Sequence, residues 1–429
     1  MHKPETLCMA PWTHTYLSPQ TERRMCCASR EPAQNFEQYI DTRSGTGRYI
    51  PVTLEEHWNS PHMQSVRRRM MAGETLPECE VCNDRLLNTD VYRTYFWHLF
   101  KHKYDDVIGK TDLNGRTSMQ PVSWDYRFSN LCNFKCRTCG DMLSSSWETE
   151  QHQHQMVDWS NAKNTWMQPD VRREISQFQD TQIEEEFSRA VEEHRVEEIY
   201  WVGGEPLMYE QHWRYMKRII ELGDGKNVYA RYNTNLSRVN YRGINLYHDI
   251  LAHVRDWQIC ASLDGTGAIG EYIRTGLDYG TFLKNFRQGL AIATNPRQMR
   301  LDFTLTLPGM FEVDNMTALA EELGVQLLAK VIFSFGPDII MSPLALPRTI
   351  LDPWVDELAG RSAGAMRDVL LQLKTRPTFA EQWPDTYRAG LAKGKARVLQ
   401  LESIRTQSIT MAEILAQRPA VLNWWNEIA

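Results

Sequence analysis

The stretch NLCNFKCRTCGD, residues 130–141, gathers Cys132, Cys136 and Cys139 into one short run. Core cysteines have no reason to bunch along a chain. Thiolates that ligate a soft metal do, because the ligands must reach one point. A closed zinc site or an ordinary electron-transfer cluster takes four protein ligands, and this run offers three. Three thiolates hold three irons of a cubane [4Fe–4S] cluster and leave the fourth iron open to another molecule. A zinc knuckle or chance spacing is the bland alternative.

The remaining cysteines are spread unevenly. Of the nine, Cys8, Cys26, Cys27, Cys79 and Cys82 precede the run, and Cys260 stands alone after it. No N-terminal apolar run resembles a signal peptide, and no stretch nears the ~18 apolar residues of a membrane span. The chain is therefore expected in the cytoplasm, away from membranes, where cysteines serve as ligands rather than disulfides. With 429 residues it is long enough for two or three domains, and its formal net charge of −6 speaks against a broad nucleic-acid surface.

Before the run, Val122, Trp124, Tyr126 and Phe128 alternate with Ser123, Asp125, Arg127 and Ser129. Period-two alternation predicts a strand, with the cysteines on the loop at its C-terminal end. Further strands are expected at EIYWV (198–202), NVYARYNTN (227–235), WQICASLDG (257–265), RLDFTLTLPG (300–309) and VQLLAKVIFSFG (325–336). Helix-like runs separate them, which argues for a parallel sheet. The strand at 198–202 ends in Gly203-Gly204-Glu205-Pro206, where paired glycines let a ligand approach the backbone.

The spacing C-x3-C-x2-C after a strand, followed one strand later by GGEP, resembles the radical S-adenosylmethionine (radical SAM) family. The resemblance implies an α/β fold, a partial (β/α)6 barrel over 120–342. It implies a [4Fe–4S] cluster on Cys132, Cys136 and Cys139, with SAM on its open iron. It implies that Gly203, Gly204, Glu205 and Pro206 hold the amino group of SAM. By the same resemblance, Asn235, Ser262, Asp264 and Arg274 contact SAM or the substrate, with Asp264 a weak catalytic candidate. Turn chemistry for Asp264-Gly265 and a surface ion pair for Arg274 are the alternatives. Thr138 departs from the aromatic residue often found before the third cysteine. Cys260 alternates within a strand and reads as a buried core thiol.

Residues 1–110 have their own pattern: Cys8 with Pro11-Trp12, then Cys26-Cys27, then Glu56, Trp58 and Ser60, then Gly73, Pro77, Cys79 and Cys82. Leu54, Trp58, Val66 and Met70 recur at helical spacing. The order resembles the twitch and SPASM modules attached to radical SAM barrels, although here the module precedes the barrel. It implies one auxiliary [4Fe–4S] cluster on Cys8, Cys26, Cys79 and Cys82, with Cys27 as the alternative to Cys26. A structural zinc site would use the same four thiolates.

Two segments carry no motif. Residues 142–196 exceed what one crossover helix needs and include His152 and His154, which read as a solvated helix face. Residues 343–429 form a helical C-terminal extension of unassigned role. The implied activity is hydrogen abstraction from a peptide or small molecule, with a one-electron donor such as flavodoxin or ferredoxin. A radical SAM methyltransferase, an RNA modifier, and a non-catalytic iron–sulfur or zinc scaffold are the other classes.

Overall fold

The computed structural model describes residues 5–31, 49–83, 91–156, 166 and 168–429. Its strands are β1 (His14–Leu17), β2 (Arg23–Arg24), β3 (Ser123–Tyr126), β4 (Glu198–Trp201), β5 (Tyr229–Thr234), β6 (Asn240–Tyr241), β7 (Ile244–Asn245), β8 (Asp256–Ser262), β9 (Met299–Leu305) and β10 (Gln326–Val331). Eight of them form one sheet in the order β10-β9-β8-β5-β4-β3-β1-β2, and β6 and β7 form a separate hairpin. The pairs β1–β3, β3–β4, β8–β9 and β9–β10 are parallel, and β2 lies antiparallel on β1 at the edge. All six strands expected from residue 122 onward are present, with helices between them.

The chain divides into two compact units. The first comprises Met1–Leu131, Glu148–Arg231 and His248–Trp257. Here the alternation of β3 has a direct physical cause. Trp124, Tyr126 and Phe128 pack on Phe187 of the helix Glu184–Glu192, with ring centroids 5.4 to 6.1 Å apart. The opposite face is polar. Ser123 donates to the Glu198 carboxylate on β4, Arg231 of β5 donates to the same carboxylate at 2.8 Å, and Arg127 pairs with Asp125 at 3.1 Å. Each buried charge thus has a partner, as burial requires.

The N-terminal segment of this unit packs around Leu7, Met9, Trp12, Met25, Met63 and Phe96. Its single expected helical run is two helices, Leu54–Trp58 and Pro61–Met71. Ser60 breaks the run: its side chain accepts the Met63 N–H and Pro61 occupies the first helical turn, an N-terminal cap. Arg67 is fully buried and donates to the carbonyls of Pro11 at 2.8 Å and Trp58 at 2.7 Å, tying both segments together.

The second unit comprises Cys132–Trp147, Tyr232–Tyr247 and Gln258–Ala429. Leu301, Phe303 and Leu305 of β9 are fully buried, as their spacing predicts. The C-terminal extension is helical, with helices that include Arg348–Arg361, Gly364–Thr375, Tyr387–Ile404, Met411–Leu415 and Pro419–Glu427. Trp424 and Trp425 are buried, and Lys395 Nζ caps the final helix through the carbonyls of Trp425 at 3.0 Å and Ile428 at 2.6 Å. His152 and His154 are exposed, as expected. No helix among the described residues is long and apolar enough to cross a membrane.

Candidate metal centres

The three-cysteine loop, in the second unit, is built by backbone docking. Lys135 N–H donates to the Thr275 carbonyl at 2.8 Å and Arg137 N–H to the Ile273 carbonyl at 2.7 Å. Gly276, at φ +111°, lets the two backbones meet, because a Cβ there would press on the Phe134 ring. Ser144 donates to the Phe134 carbonyl at 2.6 Å, Ser146 to the Cys132 carbonyl at 2.7 Å, and Trp147 Nε1 to the Cys136 carbonyl at 2.7 Å. The Phe134 N–H points at Cys132 Sγ, 3.4 Å away. The carbonyls of Cys132, Phe134 and Cys136 are thus engaged by the protein.

The C-terminal extension grips the same loop. Arg405 Nη1 donates to the Lys135 carbonyl at 2.9 Å, and its guanidinium lies 4.4 Å from the Trp147 ring centroid. Arg137 lies 3.9 Å over the Tyr272 ring and donates to Gln407 Oε1 at 2.7 Å. Sequence reasoning missed Arg405 and Gln407, which follow the loop by 270 residues. No local pattern signals a contact of that range.

Arg274 is not a surface residue: its side chain is 12% exposed and pairs with Asp264 at 2.8 Å. The other Asp264 oxygen accepts the Thr304 N–H at 2.9 Å. Asp264 therefore holds Arg274, and both its oxygens are engaged. Burial opposes the charge on Arg274, but the nearby Cys136 and Asp264 hold its pKa above the ordinary value. Burial raises the Cys136 thiol and pushes Cys139 up to about 12. Metal ligation would displace those protons. Asn235 donates to Asn133 Oδ1 at 3.0 Å, with its amide nitrogen 4.0 Å from Cys132 Sγ. Ser262 is half-buried at the end of β8, opposite Asp302 in register.

The GGEP segment lies in the first unit. A Cβ on Gly204 would overlap the Leu131 carbonyl oxygen, and the Glu205 N–H donates to that oxygen at 2.7 Å. Leu131 directly precedes Cys132 in the chain. Gly204 N–H donates to the Tyr209 hydroxyl at 2.7 Å, and that hydroxyl donates to the Ser129 carbonyl. Glu205 is buried and accepts the Leu207 N–H at 3.1 Å, so it caps the turn Pro206–Met208. Tyr209 is a further residue that the motif did not signal.

A second thiol cluster lies within the first unit. Cys8, Cys26, Cys79 and Cys82 line one small cavity of about 20 Å³, together with Met25, Ser29, Glu78 and Arg93. Cys27 is not among its lining residues, and its thiol pairs with the Tyr92 hydroxyl. Among the described residues no three His, Cys, Asp or Glu side chains converge on a single ion position. Burial pushes Cys8 up to about 12 and Cys79 up to about 11, the latter partly countered by the Arg93 guanidinium. The donor set fits a thiolate-bound metal group: four thiols, with buried polar atoms of Arg93, Ser29 and Glu78 that no protein group satisfies. Cys260 is buried and accepts from Arg300 Nε at 2.9 Å across β8 and β9.

No protein-family model matches the chain. No curated protein matches it either. Solved structures are similar in part, among them the following two. The crystal structure of Streptococcus suis SuiB bound to S-adenosylmethionine is 15% identical, with a TM-score of 0.35, over 67% of this chain and 59% of that one. The crystal structure of Streptococcus suis SuiB is 13% identical, with a TM-score of 0.35, over 71% of this chain and 63% of that one. The chain spans about three fifths of the length of these structures. At this level of similarity, what the chain does is carried by its own residues.

Proposed function

We propose that the chain is a radical SAM enzyme with an auxiliary iron–sulfur centre, built on a partial (β/α)6 barrel. The observation that carries the reading is the loop of Cys132, Cys136 and Cys139, which follows a sheet strand and brings three thiols together with the carbonyls of Cys132, Phe134 and Cys136 already engaged. Those thiols would hold a [4Fe–4S] cluster with one iron left for SAM. When bound, cluster and SAM supply one-electron cleavage of SAM and a 5′-deoxyadenosyl radical that abstracts hydrogen from an unreactive C–H bond.

The chain's own side chains supply position and charge. Arg274, held by Asp264, keeps a buried positive charge near Cys136 and supports the thiolate forms that ligation needs. Asn235 offers an amide beside Cys132. Gly203 and Gly204 let the backbone pass close to Arg127 and Leu131, and Glu205 and Pro206 shape the turn, in the segment expected to hold the amino group of SAM. Ser262 stands at a strand end as a polar contact for SAM or substrate.

Cys8, Cys26, Cys79 and Cys82 would hold the auxiliary [4Fe–4S] cluster. A single zinc on the same four thiolates is the alternative. The substrate class is a peptide or small molecule, with a flavodoxin or ferredoxin as electron donor.

The test is anaerobic reconstitution followed by incubation with SAM and dithionite. Formation of 5′-deoxyadenosine and methionine, lost in Cys132→Ala, is the expected result. S-adenosylhomocysteine would move the assignment to a methyltransferase. A fully iron-loaded protein that leaves SAM intact would sink the proposal.

A further inference from the structure

The four-thiol cavity contains a cation that no carboxylate of the described residues pairs with. Arg93 lies in the first turn of the helix Tyr92–Phe100, is 4% exposed, and lines the cavity with the four cysteines. Its Nη2 donates to Asn83 Oδ1 at 2.7 Å. Its Nε and Nη1 are buried without a hydrogen-bond partner, and the guanidinium is hydrogen-bonded to the Cys79 thiol. Glu78 lines the same cavity, yet its buried Oε2 also has no hydrogen-bond partner. A buried guanidinium with two unanswered donors is costly, and a protein retains one where something else supplies the negative charge.

Four thiolates around an iron–sulfur group supply that charge, and reduction by one electron increases it. We propose that Arg93 is the counter-charge of the auxiliary group and raises its reduction potential. This rests on the reading of the cavity as an auxiliary [4Fe–4S] site. Cluster potentials follow net charge and nearby donors, so a fixed positive charge at the cavity wall favours electron uptake there. Arg93 acts as a positioning and tuning residue, and the four sulfurs remain the only ligands.

The experiment uses the full chain with Cys132, Cys136 and Cys139 replaced by Ala, so that bound iron belongs to the cavity. The protein is reconstituted anaerobically with iron and sulfide. Iron, sulfide and zinc are counted, and a reductive titration is followed by electron paramagnetic resonance. About four irons per chain are expected. Arg93→Gln should lower the reduction potential and alter the resonance signal, and Arg93→Lys should recover most of the potential because it restores the charge. Iron-loaded Arg93→Gln with an unchanged potential overturns the inference. If Arg93→Gln loses the iron, Arg93→Lys decides: iron kept by Lys supports the counter-charge role, and iron lost equally from both overturns it. Zinc, or no metal, in the parent protein defeats the auxiliary-cluster reading itself, and the metal count alone identifies that outcome.

Discussion

Arg405 Nη1 donates to the Lys135 carbonyl at 2.9 Å, joining the end of the helix Tyr387–Ile404 to the middle of the three-cysteine loop. The helical extension is thereby part of the site's scaffold. Its guanidinium also covers Trp147, whose indole holds the Cys136 carbonyl. Removing this clamp frees the loop from two directions. Arg405→Ala should cost about 1–3 kcal/mol, the scale of a charged hydrogen bond plus a cation–π contact. The measurement is urea unfolding together with iron retention on gel filtration. Full retention at unchanged stability would show that the extension is dispensable to the loop.

Gly204→Ala drives a Cβ into the Leu131 and Asn130 carbonyl groups. Both neighbours are backbone and have little room to yield, so overpacking of about 1–3 kcal/mol is expected. The displacement falls on the residues just before Cys132, so cleavage of SAM should drop further than stability does. Parallel assays of 5′-deoxyadenosine formation and thermal unfolding would separate the two effects.

Adjacent cysteines should behave differently. Cys26 lines the four-thiol cavity and Cys27 does not. Cys26→Ser should reduce iron from about eight to about four per chain, whereas Cys27→Ser should leave it near eight. Equal losses in both variants would contradict the assignment of Cys26 as the ligand.

One ion pair sets a pH window for the N-terminal segment. Glu31 Oε1 and His62 Nε2 lie 2.5 Å apart. Burial works to raise the Glu31 carboxyl, yet hydrogen bonds from His62 and the Met25 N–H hold it below its ordinary value. The bond to Glu31 raises His62. The Glu31 contribution is complete above its unfolded value of 4.5 and fades as pH falls through its lowered folded value. The His62 contribution is complete below its unfolded value of 6.5 and fades as pH rises through its raised folded value. The pair therefore stabilises most between pH 4.5 and 6.5. The stability gap between the parent and His62→Gln should narrow above that window. A gap that stays constant from about pH 5 to about pH 9 would rule out this linkage.

The sequence by itself determined the strands and the short-range chemistry. Trp124, Tyr126 and Phe128 announce β3 because strand side chains alternate faces and one face must be buried. The three cysteines of 132–139 are legible because they are close in the chain. The order of the N-terminal cysteines could be read, but not the choice between Cys26 and Cys27, since adjacent residues differ only in which way the fold turns them. Only the tertiary structure brought Arg93 to the thiol cavity, Arg405 to the cysteine loop, Arg274 to Asp264 and Tyr209 to the Gly204 N–H. Each of these is a polar side chain whose partner is set by packing, and packing depends on segments that sequence spacing does not connect. Local periodicity encodes which face is buried; what that face meets is decided when the whole chain closes.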